Sequence, residues 1–203
     1  MIKKLNINKN KYIEYDYILK YINDNPIWIS AFTSGEGSFL GSLIIDIDSR
    51  WGVCPQCEFN ITQSFNDKQL LEAINSNFCN TGGVYLKNNN IGAVQFRKIT
   101  VLKNIIIPFF DKYPLLGCKN FEFNNWKKLV DILYNKHHVG KNIDSKNYIL
   151  EFAIICKKLN KRRINTQKQT RIDIIIEWLK LLDNIPIKNK KLELKNKIYK
   201  AIN

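Results

Sequence analysis

Two segments in the first third of the chain alternate apolar and polar residues with a period of two. The apolar side is formed in residues 38–48 by Gly41, Leu43, Ile45 and Ile47, and in residues 56–62 by Cys57, Phe59 and Ile61. This alternation is typical of strands that bury one face and expose the other. The two segments are predicted to pair as a hairpin across residues 49–53.

A second hairpin is predicted further along, with strands at residues 84–87 and 92–98 and a turn at residues 88–90. Apolar residues at helical spacing predict helices at residues 12–23, 27–35, 66–78, 100–110, 121–136 and 148–159. The glycines of Gly35-Glu36-Gly37 are expected to end the second helix through left-handed backbone angles. Pro108 is expected to interrupt the helix at residues 100–110.

The order of these elements predicts an α+β fold, an αββαββα unit whose four-stranded antiparallel sheet is covered by helices on one face. The other face stays free to meet a partner. We predict a helical N-terminal arm at residues 1–25, the αββαββα domain at residues 26–163, and a basic helical tail at residues 164–203. The tail's helices are expected at residues 167–183 and 188–202.

Positive charge is concentrated towards the C-terminal end. The net charge is +14, and the segment from Lys157 to Lys200 contains fourteen basic and four acidic residues, so the preceding part is nearly balanced. A basic tail favours a polyanionic partner, nucleic acid first. No apolar run is long enough to span a membrane, and no membrane partner is expected. The tail residues expected to contact nucleic acid are Lys161, Arg162, Arg163, Lys168 and Arg171.

The amino-acid composition and the first residues of the chain indicate the cellular compartment. Ile, Asn, Lys, Phe and Tyr are frequent, which is typical of translation from a very AT-rich genome. The first residues resemble neither a secretory signal nor an organelle transit peptide. We therefore expect an organelle-encoded protein that works in its organelle, the mitochondrion.

Five cysteines form an odd set, and reduced thiols are expected. Cys54 and Cys57 form a C-x-x-C pair, but no second such pair exists. Structural zinc sites need four ligands, so these two cysteines are interpreted as residues of a strand.

One short motif carries candidate chemistry. Residues 29–37 form a helix that ends in Gly-Glu-Gly, with the small residues Ala31 and Gly35 four positions apart. Together with residues 59–63, 106–115, 119–126 and 159–162, it resembles the LAGLIDADG homing-endonuclease family. The chain is similar to a single-motif unit, most like the second half of two-motif members, and the resemblance covers residues 26–163.

The resemblance implies a divalent-metal-dependent endonuclease that cuts double-stranded DNA. It implies that Glu36 is the catalytic residue and the Mg²⁺ ligand. Arg97 and Lys98 match positions where the family carries a basic residue near the scissile phosphate, and Lys98 is the second catalytic candidate. Because only one motif is present, two chains must pair through helix 28–35 to bring two carboxylates together.

The resemblance also implies that the free sheet face reads bases in the major groove. The candidate contact residues on or beside this face are Ser42, Gln56, Asn60, Gln63, Tyr85, Lys87, Gln95 and Arg97.

Two features depart from the family pattern. Ser34 stands where the family commonly has Asp, and Asp46, Asp48 and Glu58 are predicted to lie on the free face, where carboxylates disfavour a phosphate-lined groove. An alternative function therefore stays open, an inactive protein repurposed for structured RNA as an intron-splicing helper or as a component of an organellar ribonucleoprotein such as the ribosome. A third possibility is a protein-interaction module whose sheet face binds another protein.

Overall fold

The computed structural model describes residues 15–140, 143–160 and 170–202. In the first part of the chain the elements are α1 (Tyr15–Asp24), α2 (Ile27–Glu36), β1 (Gly37–Ile45), β2 (Val53–Ser64), α3 (Lys68–Asn77), β3 (Gly83–Leu86) and β4 (Ile91–Phe96). The later helices are α4 (Ile99–Val101), α5 (Ile107–Lys112), α6 (Gly117–Tyr134), α7 (Ile143–Asn160), α8 (Arg171–Lys180) and α9 (Lys188–Ile202). The predicted α+β class and the antiparallel sheet of four strands are confirmed.

The strands lie in the order β1-β2-β4-β3, and each neighbouring pair is antiparallel. β1 and β3 are therefore the edges. The second hairpin turns through Asn89 and Asn90, both with positive φ, a conformation that asparagine tolerates better than most residues. The predicted turn at residues 88–90 is thus present, and the register places the second hairpin beside β2.

The core lies between one face of the sheet and the helices. Phe39 of β1 contacts Phe59, Phe110, Phe123 and Trp126, with ring centroids 5.0 to 5.7 Å apart. These rings come from β1, β2, α5 and α6. The indole N–H of Trp126 donates to the Leu40 carbonyl at 3.1 Å, so the largest ring of the cluster has no unpaired polar atom.

The helical segment after β4 is not broken at Pro108. Residues Leu102–Ile106 form a π-helical turn, in which the Ile107 N–H donates to the Leu102 carbonyl five residues back. Pro108 follows directly and has no N–H to donate. The expected interruption was wrong, because a wider turn accommodates the proline while the apolar face of the segment stays on the core.

The junction between α2 and β1 also differs from the expectation. Gly37 has φ −78° and ψ 153°, which is ordinary extended backbone. A Cβ at this position would lie 2.4 Å from Thr33 Cγ2 and 2.7 Å from the Thr33 carbonyl oxygen. The glycine is required for space between the helix and the strand, and the expected left-handed termination was wrong.

The helices of the predicted tail share the core of the rest. Their buried apolar residues are Ile174, Ile175, Ile176, Leu179, Leu182, Leu194 and Ile198. The Arg171 guanidinium donates to the Leu43 carbonyl at 2.9 Å, and the Trp178 indole N–H donates to the Trp51 carbonyl at 3.0 Å. α8 therefore lies along β1 and the β1–β2 turn. The division of the chain into three parts stays a prediction.

The N-terminus of α8 is closed by a capping box. Thr170 Oγ1 accepts from the Asp173 N–H, and the Asp173 carboxylate accepts from the Thr170 N–H. Lys157 of α7 contacts the same carboxylate at 2.5 Å. The bond from Lys157, reinforced by those from Thr170, lowers the pKa of Asp173 below its usual value.

None of the helices within residues 15–140, 143–160 and 170–202 has the length and apolarity needed to cross a membrane.

Asp173→Asn is expected to reduce the free energy of unfolding at pH 7 by about 0.5 to 1 kcal/mol, because it removes the negative charge at a helix N-terminus. The lowered folded-state pKa means that this stabilisation is present above the unfolded-state pKa and is lost as the pH falls through the folded-state pKa. Urea unfolding of both proteins at pH 7 and pH 3 measures the difference. Asp183→Asn, at an exposed site, is the control, and an equal effect at both pH values would contradict the ion pair.

Gly37→Ala is expected to destabilise the protein by about 1 to 3 kcal/mol, because the added methyl group overlaps Thr33. Chemical denaturation at low protein concentration measures the change. Gly35→Ala is the control, since a Cβ at Gly35 meets no atom within 4 Å. A Gly37→Ala protein as stable as the wild type would contradict the close packing of α2 against β1.

Candidate nucleic-acid interface

One face of the sheet is covered by none of the described helices and is lined by polar side chains. The register pairs Ser42 with Gln56 across β1 and β2, and Asn60 with Gln95 across β2 and β4. By strand parity these four residues lie on the face opposite the aromatic core. Ser42 and Gln56 are exposed and Gln95 is half-buried, whereas Asn60 is buried, at 4% exposure. The sequence-based assignment of these positions to the free face agrees with this register.

At the centre of this face lies a bonded group of three side chains. The Arg97 Nε donates to Glu58 Oε2 at 2.6 Å, and the Asn60 Nδ2 donates to Glu58 Oε1 at 2.5 Å. The Arg97 side chain is 69% exposed and that of Glu58 is 16% exposed. Glu58 therefore orients two donors of the free face, and its negative charge is compensated by Arg97.

The other two carboxylates assigned to the free face lie elsewhere. β1 ends at Ile45, and Asp46 accepts from the Asp48 N–H at 3.0 Å within the β1–β2 turn. Asp48 lies 3.7 Å from the Lys188 ammonium. Their placement on the sheet was wrong, because the short-range bonds of aspartate favour a turn over a longer strand. An acidic sheet face therefore no longer disfavours a phosphate-lined partner.

The β3 side of the free face holds a polar depression of about 260 Å³. It is lined by Thr81, Gly82, Gly83, Tyr85, Gln95, Arg97 and Lys98. Tyr85 is 55% exposed, and Lys87, just beyond β3, is also exposed. Gln63 differs from these candidates, because it shares the parity of the buried Ile61 and its side-chain oxygen accepts from the Ser64 N–H at 2.8 Å.

The outer surface of α2 is exposed in the described part of the chain. Ile27, Ala31 and Gly35 follow one another at intervals of four residues and are all exposed. The adjoining side of the helix is held by Ser30, whose hydroxyl donates to the Tyr113 carbonyl at 2.6 Å, and by Ser34, whose hydroxyl accepts from the Leu116 N–H at 3.2 Å. Ser34 thus has a structural bond at the position where the family commonly has Asp.

Glu36 is the last residue of α2 and is exposed. Its carboxylate has no hydrogen bond or ion pair within the described part of the chain. Because Gly37 begins β1 directly, Glu36 lies where the outer surface of α2 meets the end of the sheet. The carboxylate is available to a ligand or to a second chain.

The ammonium of Lys119, on the first turn of α6, lies at this junction. Its ammonium donates to the Gly37 carbonyl at 2.8 Å and lies 3.2 Å from the Glu122 carboxylate, and its side chain is 16% exposed. The sequence analysis assigned no site role to Lys119. The sequence does carry a signal for it: Lys119 lies four residues before Phe123 and seven before Trp126, which puts it on the side of α6 that packs against the sheet.

The register does not bring Lys98 to Glu36. Lys98 follows β4, and β4 is separated from β1 by β2. Two strand spacings alone amount to about 10 Å. The catalytic role of Lys98 stays a prediction, and the structure places this residue in the depression beside Arg97.

Among the tail candidates, Arg171 is exposed and lies at the β1 edge of the sheet, near Ser42. Lys161, Arg162, Arg163 and Lys168 lie outside the described residues. Their contacts with nucleic acid stay predictions.

Glu36 is the candidate ligand for a divalent cation in the described part of the chain. Within the described residues no cluster of three or more His, Cys, Asp or Glu side chains is positioned to hold a metal. Mg²⁺ prefers oxygen ligands and retains several waters, so it needs few protein ligands. Glu36 fits as one carboxylate ligand of such a site.

The cysteines do not add a metal site. All five are free, and Cys54 and Cys57 point to opposite faces of β2 because they are three residues apart on one strand. Burial raises the pKa of the thiols of both Cys57 and Cys156. These two residues are inert parts of the core at neutral pH.

Several known proteins are similar to this chain. A probable intron-encoded endonuclease of Neurospora crassa is 33% identical over 117 residues, which are 57% of this chain and 21% of the relative. A probable intron-encoded DNA endonuclease of Mycosarcoma maydis is 26% identical over 149 residues, 73% of this chain and 52% of the relative. The chain thus spans from a fifth to a half of the length of these relatives.

Solved structures give the same result for the fold. The homing endonuclease I-TnaI superimposes with a TM-score of 0.65 at 24% identity, over 76% of this chain and 97% of that chain. The LAGLIDADG homing endonuclease I-LtrWI, solved bound to its target DNA, superimposes with a TM-score of 0.61 at 31% identity, over 68% of this chain and 44% of that chain.

The model of the LAGLIDADG endonuclease family matches residues 29–130, which is half of the chain. These residues run from the motif helix through the whole sheet and into α6. The exposed α2 surface, the terminal glutamate and the free sheet face described above are all formed within or beside this segment. The chain belongs to the LAGLIDADG endonuclease family.

Proposed function

We propose that this protein binds duplex DNA across the free face of its sheet and that two copies, paired through α2, cut the DNA between their Glu36 carboxylates. The observation that carries the proposal is the carboxylate of Glu36, which has no partner among the described residues and lies at the end of a helix whose outer surface is exposed. The related I-LtrWI is a homing endonuclease bound to target DNA, which supports DNA as the ligand class.

Pairing through α2 is supported by the size of its exposed residues. Ala31 and Gly35 allow two helix backbones to approach closely, and a Cβ at Gly35 would meet no atom within 4 Å of the single chain. Ile27, 63% exposed, adds apolar surface at the start of the same stripe. In a symmetric dimer the two stripes face each other, and a two-fold axis running along the paired helices would bring the two Glu36 residues to the same end.

The free face suits the major groove in its chemistry. Gln56 and Gln95 offer amide groups of the kind that pair with adenine, and Arg97 offers a guanidinium of the kind that pairs with guanine. Glu58 limits the rotation of Arg97 before DNA arrives. Lys87 and Lys98, at the margins, are placed for phosphate contacts, which position the protein without reading sequence.

Glu36 and Lys119 would have different roles in cleavage. Mg²⁺ bound by the two Glu36 carboxylates would activate water and offset charge on the phosphate. Lys119 holds the Gly37 carbonyl, so it positions the residue next to Glu36. Its ammonium also places a positive charge beside the junction, where a phosphate would lie.

We further propose that the protein is made and works in mitochondria. The relatives are named intron-encoded endonucleases, and the residue usage is typical of an AT-rich genome. An RNA-binding role is the second candidate, supported only by the basic C-terminal segment.

Glu36→Gln is expected to abolish Mg²⁺-dependent cleavage of duplex DNA, with a loss of at least 1,000-fold, because a neutral amide is a poor metal ligand. Binding to the same DNA in Ca²⁺ should change less than about threefold. Cleavage is measured by selecting cut sites from a randomised duplex library and then timing the cleavage of the selected site.

Glu72→Gln, the same change on α3, is the matched control and should cut as the wild type does. Unchanged cleavage in Glu36→Gln would refute the role of Glu36. Binding to structured RNA at least tenfold tighter than to the selected duplex, without cleavage of either, would favour the RNA-binding role.

Gly35→Leu is expected to weaken dimerisation at least tenfold, because the added side chain prevents the close approach of two α2 helices. Leucine favours helix more than glycine does, so the circular dichroism of the variant should be retained. Analytical ultracentrifugation with and without DNA measures the assembly. Gln69→Leu, exposed on α3, is the control, and a wild-type protein that stays monomeric on its DNA site would contradict pairing.

A further inference from the structure

The C-terminal helix α9 is docked at the end of the sheet that lies farthest from Glu36. Glu36 adjoins the start of β1, and the β1–β2 turn follows the end of this strand of nine residues, about 30 Å away. The Lys191 ammonium donates to the Ser49 carbonyl of that turn at 2.6 Å, and a Cβ at Gly52 would lie 3.4 Å from the Lys191 side chain. α9 therefore extends the molecule beyond the outer end of the sheet.

Only a narrow side of α9 is used for docking. Lys191, Leu194 and Ile198 are buried, at intervals of three and four residues. The other side chains that the structure describes on residues 188–201 are exposed or partly exposed. α9 contains six lysines and one glutamate, so the exposed surface is strongly positive.

The lysines of α9 divide into two groups by their contacts. Lys191 bonds the β1–β2 turn, Lys188 lies 3.7 Å from Asp48 of the same turn, and Lys197 lies 3.9 Å from Glu177 of α8. Lys190, Lys195 and Lys200 have no ion pair within the described part of the chain, and we call these three the free α9 lysines. Their ammonium groups are therefore available to a partner.

We propose that the free α9 lysines bind the phosphate backbone of duplex DNA that flanks the segment read by the sheet. The inference rests on the proposed function, because the sheet fixes where the duplex lies. A strand of twelve residues such as β2 spans about 40 Å, or about 12 base pairs at 3.4 Å each. Duplex that continues past this length leaves the sheet at the end where α9 is docked.

The chemistry of the surface specifies a phosphate backbone and not bases. Lysine is a flexible point charge that neutralises phosphate without the fixed geometry needed to read a base edge. Contacts of this kind raise affinity for any sequence and make it strongly dependent on salt. α9 thus increases the affinity for DNA, and sequence specificity comes from the sheet.

The test uses the full chain and two duplexes, 24 and 44 base pairs long, that carry the selected site at their centre, with binding measured from 50 to 300 mM KCl without Mg²⁺. On the longer duplex, the triple variant Lys190→Ala, Lys195→Ala, Lys200→Ala is expected to reduce the slope of log K against log salt by about 1 to 2. Each phosphate contact contributes about 0.9, and residues five apart on a helix lie about 140° from one another around its axis, so two of the three lysines face a duplex on one side. On the shorter duplex, the wild type and this variant should differ little.

The matched control is the triple variant Lys20→Ala, Lys112→Ala, Lys128→Ala. It removes the same charge from exposed lysines of α1, α5 and α6, and its slope should stay within about 0.5 of the wild type. A second α9 variant with glutamine at the same three positions guards against a loss of helix, and circular dichroism checks both.

The outcomes separate this inference from the proposed function. Equal slopes for the α9 variant and the wild type on the longer duplex would overturn the flanking contact, whereas Arg97→Ala would still weaken binding if the sheet binds DNA. An equal loss of slope in the control would mean that the slope depends on the net charge of the protein and not on the position of the lysines, and this would also overturn the inference. A loss of slope for single-stranded RNA but not for duplex would assign the surface to another ligand.

Discussion

The aromatic cluster centred on Phe39 is the interaction on which the rest of the structure depends. Its rings come from two strands and two helices that are distant in sequence, and edge and stacked contacts fix their relative positions. Since all of these rings lie on one side of the sheet, the helices are confined to that side. The polar residues of the other side are left accessible as a consequence, which is what a surface for a large, flat partner requires.

The same packing determines what lies beside Glu36. Phe123 and Trp126 hold α6 on the sheet, and Lys119, on the same stripe of α6, therefore reaches the carbonyl of Gly37. The missing side chain at Gly37 lets β1 begin immediately after α2. A carboxylate and an ammonium thus meet at one end of the sheet because of two packing constraints, and neither residue has to be positioned by a flexible loop.

The C-terminal helices combine a structural role with a charged surface. Exposed Arg171 and buried Lys191 of these helices donate to the main-chain carbonyls of Leu43 and Ser49. Buried Lys146 of α7 donates to the Leu182 carbonyl, which follows α8. Buried cations need such acceptors, because an unpaired charge in the interior is costly. The excess of positive charge is consequently carried by the lysines that remain outside these bonds, and their position is set by where α8 and α9 dock.

The sequence by itself determined the alternation of the strands, the helical spacing, the α+β class and the motif that places a glutamate at the end of α2. These features are local, because side chains two, three or four residues apart already define a face. The β1 end at Ile45, the π-turn before Pro108 and the extended Gly37 depend on local bonds and steric limits that periodicity does not report. Only the tertiary structure decided that Lys119 and not Lys98 adjoins the Glu36 junction, that Arg97 compensates Glu58, and that α9 extends the outer end of the sheet. Each of these relations joins residues distant along the chain, and which of them meet is set by strand register and helix packing.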